Sequence, residues 1–152
     1  MKLFISLLIT LTVGGISGFA TANSIGTWYA TLTKPSFNPP NWLFGPVWTL
    51  LYVLMGIALY LVWRLPVSSA RKTALAVFGI QLLLNFLWSF IFFKFHFIGW
   101  ALLEIIVLWL AILLTIIVFS HLSKTSSWLL LPYLLWVSFA SFLNYTLWNL
   151  NG

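Results

Sequence analysis

Few side chains in this 152-residue chain could carry out acid–base or metal chemistry. The chain has one acidic residue, Glu104, two histidines, His96 and His121, and no cysteine. One carboxyl and two distant histidines do not assemble a nucleophile, a base and an acid, and they do not form a metal-binding cluster. We therefore expect no hydrolase activity, no metal site and no required cofactor.

Aromatic surface is abundant instead, since 19% of the residues are aromatic and ten of them are tryptophans. Gln81, Asn85, Trp88 and Ser89 follow one another at i, i+4, i+7 and i+8, which places them on one face of a helix. Aromatic walls with a few polar groups are typical of a pocket for a flat, mostly apolar ligand. The alternative is an aromatic belt at the membrane surface, which we prefer for Trp63, Trp128 and Trp148.

The other apolar segments carry similar stripes of small, polar or aromatic residues. These are Gly14, Ser17, Gly18 and Thr21; Trp48, Tyr52, Met55 and Gly56; Trp100, Glu104, Ala111 and Thr115; and Trp136, Ala140, Leu143 and Asn144. Such residues face lipid poorly, so we expect the stripes to face one another. Glu104 could anchor a ligand, relay a proton, or form a structural hydrogen bond with Gln81, Asn85 or an unwound stretch of backbone.

Composition indicates which elements position these residues. Apolar residues make up 62% of the chain and charged residues 5%, which is typical of an integral membrane protein. Five segments are long enough to cross a bilayer, and we place them near 3–22, 46–63, 73–93, 97–119 and 128–149. The prediction is an all-α bundle of five transmembrane helices that forms a single domain over residues 1–152. The first segment also fits a cleavable secretory signal, but its small-residue patch favours a retained helix.

The net charge of +6 is spread along the chain without a basic run, so we expect a lipid bilayer and no nucleic acid as partner. One side of the predicted bundle holds five basic residues, Lys2, Arg64, Arg71, Lys72 and Lys124. The other side holds only Lys34 and Lys94. This asymmetry predicts the amino terminus inside and the 23–45 loop outside.

Residues 28–48 hold four of the six prolines and interrupt the apolar chain. Proline fixes its own φ and moves the preceding residue towards extended geometry. A loop stiffened in this way loses less freedom when it becomes ordered. We predict that the 23–45 loop is a structured lid over the helices.

These residues carry a resemblance to the tryptophan-rich sensory protein/translocator protein (TspO/MBR, peripheral-type benzodiazepine receptor) family. The matching motifs are Trp28-Tyr29-x4-Lys34-Pro35-Ser36-Phe37-x-Pro39-Pro40-x-Trp42, Gly45-Pro46-Val47-Trp48, Gln81-x3-Asn85-x2-Trp88, Gly99-Trp100-Ala101-Leu102 with Glu104, and Pro132-Tyr133-Leu134-x-Trp136 with Leu143-Asn144-Tyr145. They run in order over nearly the whole chain.

The resemblance implies a membrane receptor or sensor that binds porphyrins such as protoporphyrin IX or haem, and isoquinoline- or benzodiazepine-type ligands. The resemblance includes bacterial members that degrade porphyrins in light. The two pocket tryptophans implicated in those members match Trp48 and Trp136. Together with the stripes and the loop, the resemblance predicts the ligand contacts Gly18, Trp28, Trp42, Phe44, Gly45, Val47, Tyr52, Asn85, Trp88, Trp100, Glu104, Ala140 and Leu143. The lack of an amino-terminal Arg/Ser-rich transit segment fits a bacterial cell membrane, although animal members of the family also lack one.

Other functions remain open at this stage. The chain could export porphyrin intermediates with Glu104 as the proton-coupling group, or it could be an assembly partner without a ligand. A homodimer is a further alternative, although the Gly-xxx-Gly spacing of some members' third helix is replaced here by Ala76 and Ile80. No basic residue follows Tyr145, which argues against the sterol motif of animal members.

Overall fold

The computed structural model describes all 152 residues, which form five long α-helices and no β-strand. The helices are α1 (Lys2–Ile25), α2 (Asn41–Trp63), α3 (Ser69–Ser89), α4 (Ile98–Ser120) and α5 (Lys124–Asn151). A 3-10 turn, Tyr29–Thr31, follows α1, and a π-helical turn, Phe90–Lys94, follows α3. All five helices are long and apolar enough to cross a membrane. The prediction of an all-α bundle of five transmembrane helices is confirmed.

Local capping explains why several helices begin before their predicted starts. The Oγ of Ser68 accepts a hydrogen bond from the Arg71 amide at 3.1 Å and caps α3. The Oγ of Ser123 accepts one from the Ser126 amide at 3.2 Å and caps α5. Both are typical N-caps, which satisfy amides that lack an intrahelical partner.

The segment between α1 and α2 is shorter than the predicted 23–45 loop. Helix α1 continues to Ile25, and α2 begins at Asn41 after Pro40, whose backbone is extended at φ −61° and ψ 146°. Pro46 lies inside α2, although the sequence suggested that it marks the beginning of the helix. The non-α-helical connection, which we call the cover, therefore comprises residues 26–40.

The helices surround the core in the order α1, α2, α5, α4, α3, and α3 packs back against α1. Small residues let α1 approach α2 closely. A Cβ atom on Gly56 would lie only 2.8 Å from both Leu7 Cδ2 and Thr10 Oγ1. Thr10 also donates a hydrogen bond to the Tyr52 carbonyl at 2.8 Å, which joins the two helices next to this close contact.

The two ends of the bundle differ in charge. Lys2 Nζ and Arg71 Nη1 donate to the Trp63 carbonyl at 3.3 and 3.0 Å, and Arg71 also reaches the Leu65 carbonyl at 2.8 Å. These cations satisfy carbonyls at the carboxyl end of α2. Their positive charge also interacts favourably with the negative end of the helix dipole. We call this the basic end, and the opposite end, which carries the cover, the loop end. The orientation of these ends in a cell remains a prediction.

Candidate functional site

A chain of side-chain hydrogen bonds crosses the middle of the bundle and joins α2, α3 and α5. The Tyr52 hydroxyl donates to Asn85 Oδ1 at 2.6 Å, and Asn85 Nδ2 donates to the Tyr133 hydroxyl at 2.7 Å. Tyr133 in turn donates to Gln81 Oε1 at 2.8 Å. All four residues are buried, so these groups satisfy one another where neither water nor lipid can.

Above this chain, towards the loop end, lies a small aromatic cavity. Its free volume of about 30 Å³ has room for only one or two water molecules. The lining residues are Thr21, Tyr29, Phe44, Trp48, Trp88, Phe92, Phe93, Trp136, Phe139, Ala140, Leu143, Asn144 and Leu147. We call this the inner cavity.

Two tryptophans face each other across the inner cavity. The rings of Trp48 and Trp136 are 6.5 Å apart and perpendicular, a favourable arrangement for an aromatic pair. Trp136 Nε1 is buried and has no hydrogen-bond partner. An unpaired indole N–H in an apolar cavity is costly, so it favours any ligand that brings an acceptor.

A second and larger space opens between α1 and α2. This α1–α2 cleft has a volume of about 400 Å³, within the usual range for small-molecule sites. Small and polar residues line much of it, namely Gly14, Gly15, Ser17, Gly18, Thr21, Ala22, Asn41, Gly45, Thr49 and Ser89; Leu11, Ile25, Phe44, Trp48 and Tyr52 complete the lining. Thr21, Phe44 and Trp48 line both spaces and therefore form the partition between them.

The cover is joined to α5 at two points. The side-chain amide of Asn151 forms two hydrogen bonds with the backbone of Thr33, both at 2.8 Å. The Thr33 amide donates to Asn151 Oδ1, and Asn151 Nδ2 donates to the Thr33 carbonyl. The Phe37 ring stacks on Phe142 with centroids 5.3 Å apart. The loop end of the bundle is thus closed by contacts between residues more than a hundred positions apart.

The amino-terminal half of the cover packs on the end of α3. Trp28 stacks on His96 at 4.1 Å, nearly parallel, and meets Phe92 edge-on at 5.5 Å. Tyr29 is 1% exposed and donates a hydrogen bond to Asn38 Oδ1 at 2.5 Å within the cover. Burial raises the pKa of Tyr29 from its ordinary value of 10.0 to about 12, although the Asn38 hydrogen bond lowers it slightly.

The raised pKa of Tyr29 predicts a loss of stability in alkali. A phenol whose pKa is higher in the folded protein than in the unfolded chain stabilises the fold fully below pH 10, and this contribution is lost as the pH rises from about 10 to about 12. The near-ultraviolet tyrosinate absorbance of the wild type minus that of Tyr29→Phe should show one group titrating near pH 12. A difference titration centred at pH 10 would show that Tyr29 is solvated.

The structure brings many of the predicted site residues to these two spaces. Phe44, Trp48, Trp88, Trp136, Ala140 and Leu143 line the inner cavity, while Gly18, Gly45 and Tyr52 line the cleft. Asn85 lies in the buried hydrogen-bond chain, where both ends of its amide are paired.

Four other predicted contacts lie elsewhere. Trp42 and Trp100 are 72% and 68% exposed, and neither lines the cavity or the cleft. Trp28 belongs to the cover, and Val47 packs against the core. Trp100 points outward because α4 turns Ala101 and Ile105 towards the core, which leaves the preceding position facing outward.

Glu104 is half-buried, and both of its carboxyl oxygens are buried without a hydrogen-bond partner. The structural alternative, a hydrogen bond to Gln81 or Asn85, is not formed: Asn85 Nδ2 donates to Tyr133, and Gln81 Nε2 lies 4.0 Å from Met55 Sδ. Glu104 lines neither the inner cavity nor the cleft. It is therefore an unpaired polar group within the membrane span.

Sequence reasoning missed several cavity residues, among them Phe92 and Phe93. These neighbours would point in different directions in a regular α-helix, yet both are buried, at 2% and 4% exposure. Both lie in the π-helical turn, which is closed by the Phe95 amide on the Phe90 carbonyl at 2.9 Å and changes the register of the helix. No pattern in the sequence marks such a turn. Tyr29, by contrast, stands in the quoted loop motif and could have been included.

Known proteins align with this chain over most of its length. The model of the TspO/MBR family matches residues 6–149. The chain is 49% identical over 152 residues to the tryptophan-rich protein TspO of Archaeoglobus fulgidus, covering 100% of this chain and 98% of the relative. It is 40% identical over 127 residues to the human translocator protein, covering 82% and 75%.

A bacterial relative adds to this comparison. The tryptophan-rich sensory protein of Cereibacter sphaeroides is 39% identical over 124 residues, covering 82% of this chain and 77% of the relative. The archaeal, bacterial and animal relatives, together with five membrane-spanning helices, indicate a multi-pass membrane protein of the sensor and translocator kind. The chain belongs to the TspO/MBR family.

Proposed function

We propose that this protein binds a tetrapyrrole, with the ring system in the α1–α2 cleft and one edge against Trp48 and Trp136. The observation that carries the proposal is the cleft of about 400 Å³ that shares an aromatic wall with the inner cavity. The inner cavity alone, at about 30 Å³, is too small for such a ligand unless the partition moves. The unpaired indole N–H of Trp136 supplies a donor for a ligand acceptor.

Metal-free protoporphyrin IX is the appropriate first probe. Haem iron usually takes an axial imidazole, but neither His96 nor His121 lines the cavity or the cleft. The aromatic wall that the cavity and the cleft share is equally suited to the porphyrin without iron. Isoquinoline- or benzodiazepine-type ligands are flat and apolar as well and serve as competitors.

The test is a titration of protoporphyrin IX into purified protein, followed by quenching of tryptophan fluorescence. We expect saturable quenching in the wild type and at least tenfold weaker binding in Trp48→Phe and Trp136→Phe, about 1.4 kcal/mol each. Trp128→Phe is the matched control, because Trp128 is 68% exposed and begins the apolar part of α5 at the basic end. Absence of saturable quenching, or equal affinity in all four proteins, would contradict the proposal.

Light-dependent breakdown of the porphyrin is a further part of this proposal. The excited porphyrin would take an electron from the adjacent Trp48 or Trp136 and pass it to dioxygen, which becomes superoxide. The tryptophan radical cation would then recover an electron from the porphyrin, so that the porphyrin is oxidised by one electron and the tryptophan is restored. Bleaching of bound protoporphyrin under light and air should then be slower in Trp48→Phe than in Trp128→Phe at equal occupancy. Equal bleaching rates would leave binding intact and remove the catalytic role.

Export of porphyrin intermediates is a second candidate function, favoured by the unpaired carboxyl of Glu104. Ionisable residues within a membrane span often mark a proton path. In proteoliposomes, this function predicts a pH-dependent porphyrin flux that Glu104→Gln abolishes while binding remains. Binding without flux in the wild type would exclude it.

A further inference from the structure

We infer that the tetrapyrrole enters sideways from the bilayer through the α1–α2 cleft, while the cover acts as a fixed roof. Phe44 and Trp48 would then be the gate between the cleft and the inner cavity. This inference rests on the proposed tetrapyrrole binding and adds the route of access. It also restricts the ligand to molecules that partition into the membrane.

The roof is held by contacts at both of its ends. The paired amide of Asn151 holds Thr33 to α5, and Phe37 stacks on Phe142. Within the cover, Tyr29 is buried and donates to Asn38, while Trp28 stacks on His96 outside the cover. Entry from the loop end would have to break several of these contacts together.

The side between α1 and α2 needs no such rearrangement. A Cβ atom added at Gly15, Gly18 or Gly45 would meet no atom within 4 Å, so the cleft is open space at these positions. Gly15 and Gly18 are exposed residues in the middle of a helix that is long enough to cross the membrane. The cleft therefore opens towards lipid.

A buried polar atom in the wall of the cleft also points to an occupant. Ser17 lines the cleft and is 3% exposed. Its Oγ lies near the Tyr52 hydroxyl but completes no hydrogen bond of normal geometry. A ligand with a polar group could pair with this hydroxyl and remove the penalty of an unsatisfied buried group.

The gate consists of the two aromatic side chains among the three residues that line both spaces, Thr21, Phe44 and Trp48. Phe44 and Trp48 are half-buried, and Phe44 contacts Trp136 edge-on at 6.2 Å. Both gate residues lie near the start of α2, next to the open position at Gly45. Rotation of these two rings would join the cleft of about 400 Å³ to the inner cavity of about 30 Å³ without moving a helix.

Filling the cleft tests the route. Gly18→Leu and Gly45→Leu place a side chain in the open space, whereas Gly79→Leu makes the same change on the exposed side of α3, also with no atom within 4 Å of the new Cβ. In lipid nanodiscs, stopped-flow quenching by protoporphyrin IX should show an association rate at least tenfold lower in the first two variants. The Gly79→Leu rate should equal that of the wild type. Melting temperatures verify that each variant is folded.

Locking the roof provides an independent measurement. The chain has no cysteine, so Thr33→Cys with Asn151→Cys introduces the only two thiols, which can be joined by oxidation or by a short bifunctional maleimide. Cross-linking, verified by mass spectrometry, should leave the association rate unchanged. A rate that falls on oxidation and recovers on reduction would overturn the inference, since access would then pass under the cover.

The outcomes separate this inference from the proposed function. If the wild type does not bind protoporphyrin IX, the proposed function is wrong. If the wild type binds and Gly18→Leu, Gly45→Leu and Gly79→Leu all associate at the wild-type rate, binding stands and the lateral route is wrong. A weaker equilibrium affinity with an unchanged association rate would also contradict the route, because the cleft would then only hold the ligand.

Discussion

The substitution Gly56→Leu is expected to separate α1 from α2 and to lower the free energy of unfolding by about 3 kcal/mol, the upper part of the range for overpacked cores. A Cβ atom at this position would lie 3.1 Å from Leu7 Cα, which is helix backbone and cannot move aside by changing rotamer. The neighbouring Thr10 Oγ1, at 2.8 Å, is held by its hydrogen bond to the Tyr52 carbonyl. Thermal unfolding in detergent would measure the loss.

Gly79→Leu is the control for this prediction. Both substitutions replace a helical glycine by a good helix former, a gain of about 1 kcal/mol, but only position 56 has close neighbours. Gly79→Leu should therefore melt at or above the wild-type temperature. Equal melting temperatures for the two variants would mean that α1 is not packed on α2 as described.

The substitution Asn85→Leu is expected to lower the free energy of unfolding by about 1–3 kcal/mol. Asn85 makes two buried interhelical hydrogen bonds, to Tyr52 and Tyr133. In membranes such bonds are worth about 0.6 kcal/mol on average and about 1.7 at most. Leucine has a similar size, so little of the loss comes from a cavity, and the hydroxyl of Tyr52 loses its acceptor.

A double-mutant cycle with Tyr133→Phe isolates the contribution of the hydrogen-bond chain. Since Asn85 and Tyr133 bond directly, the two losses should not add, and the coupling energy should be at least about 0.5 kcal/mol. Unfolding can be followed by helix content during titration with a denaturing detergent. Strictly additive losses would show that the 2.7 Å contact contributes nothing to stability.

The sequence predicts the helices better than the side-chain contacts between them. Five apolar segments of membrane length determine the helix count, and the helical spacing of Gln81 and Asn85 correctly predicts that both are buried. Their partner Tyr133 could not be chosen, because spacing within one helix does not specify which neighbour it meets. Phe92 and Phe93, which line the cavity, lie in a π-helical turn that leaves no pattern in the sequence.

Trp100 shows a different limit of sequence reasoning. Its spacing with Glu104 placed it on a stripe expected to face inward, but packing turned Ala101 and Ile105 towards the core instead. In a helix that is almost entirely apolar, the polar and aromatic residues define a face only weakly, because either side can be buried. The starts of α3 and α5 differ from the predicted ones for a local reason, because Ser68 and Ser123 cap these helices four residues earlier.

The hydrogen-bond chain through Tyr133 also has a consequence for biosynthesis. Tyr133 belongs to α5, the last helix to leave the ribosome, whereas its partner Gln81 belongs to α3. Gln81 therefore reaches the membrane before the Tyr133 hydroxyl that donates to its Oε1 has been made. An unpaired amide in hydrocarbon is unfavourable. The final docking of α3 must await translation of the last helix, so a nascent chain interrupted before α5 presents an unpaired amide within the lipid.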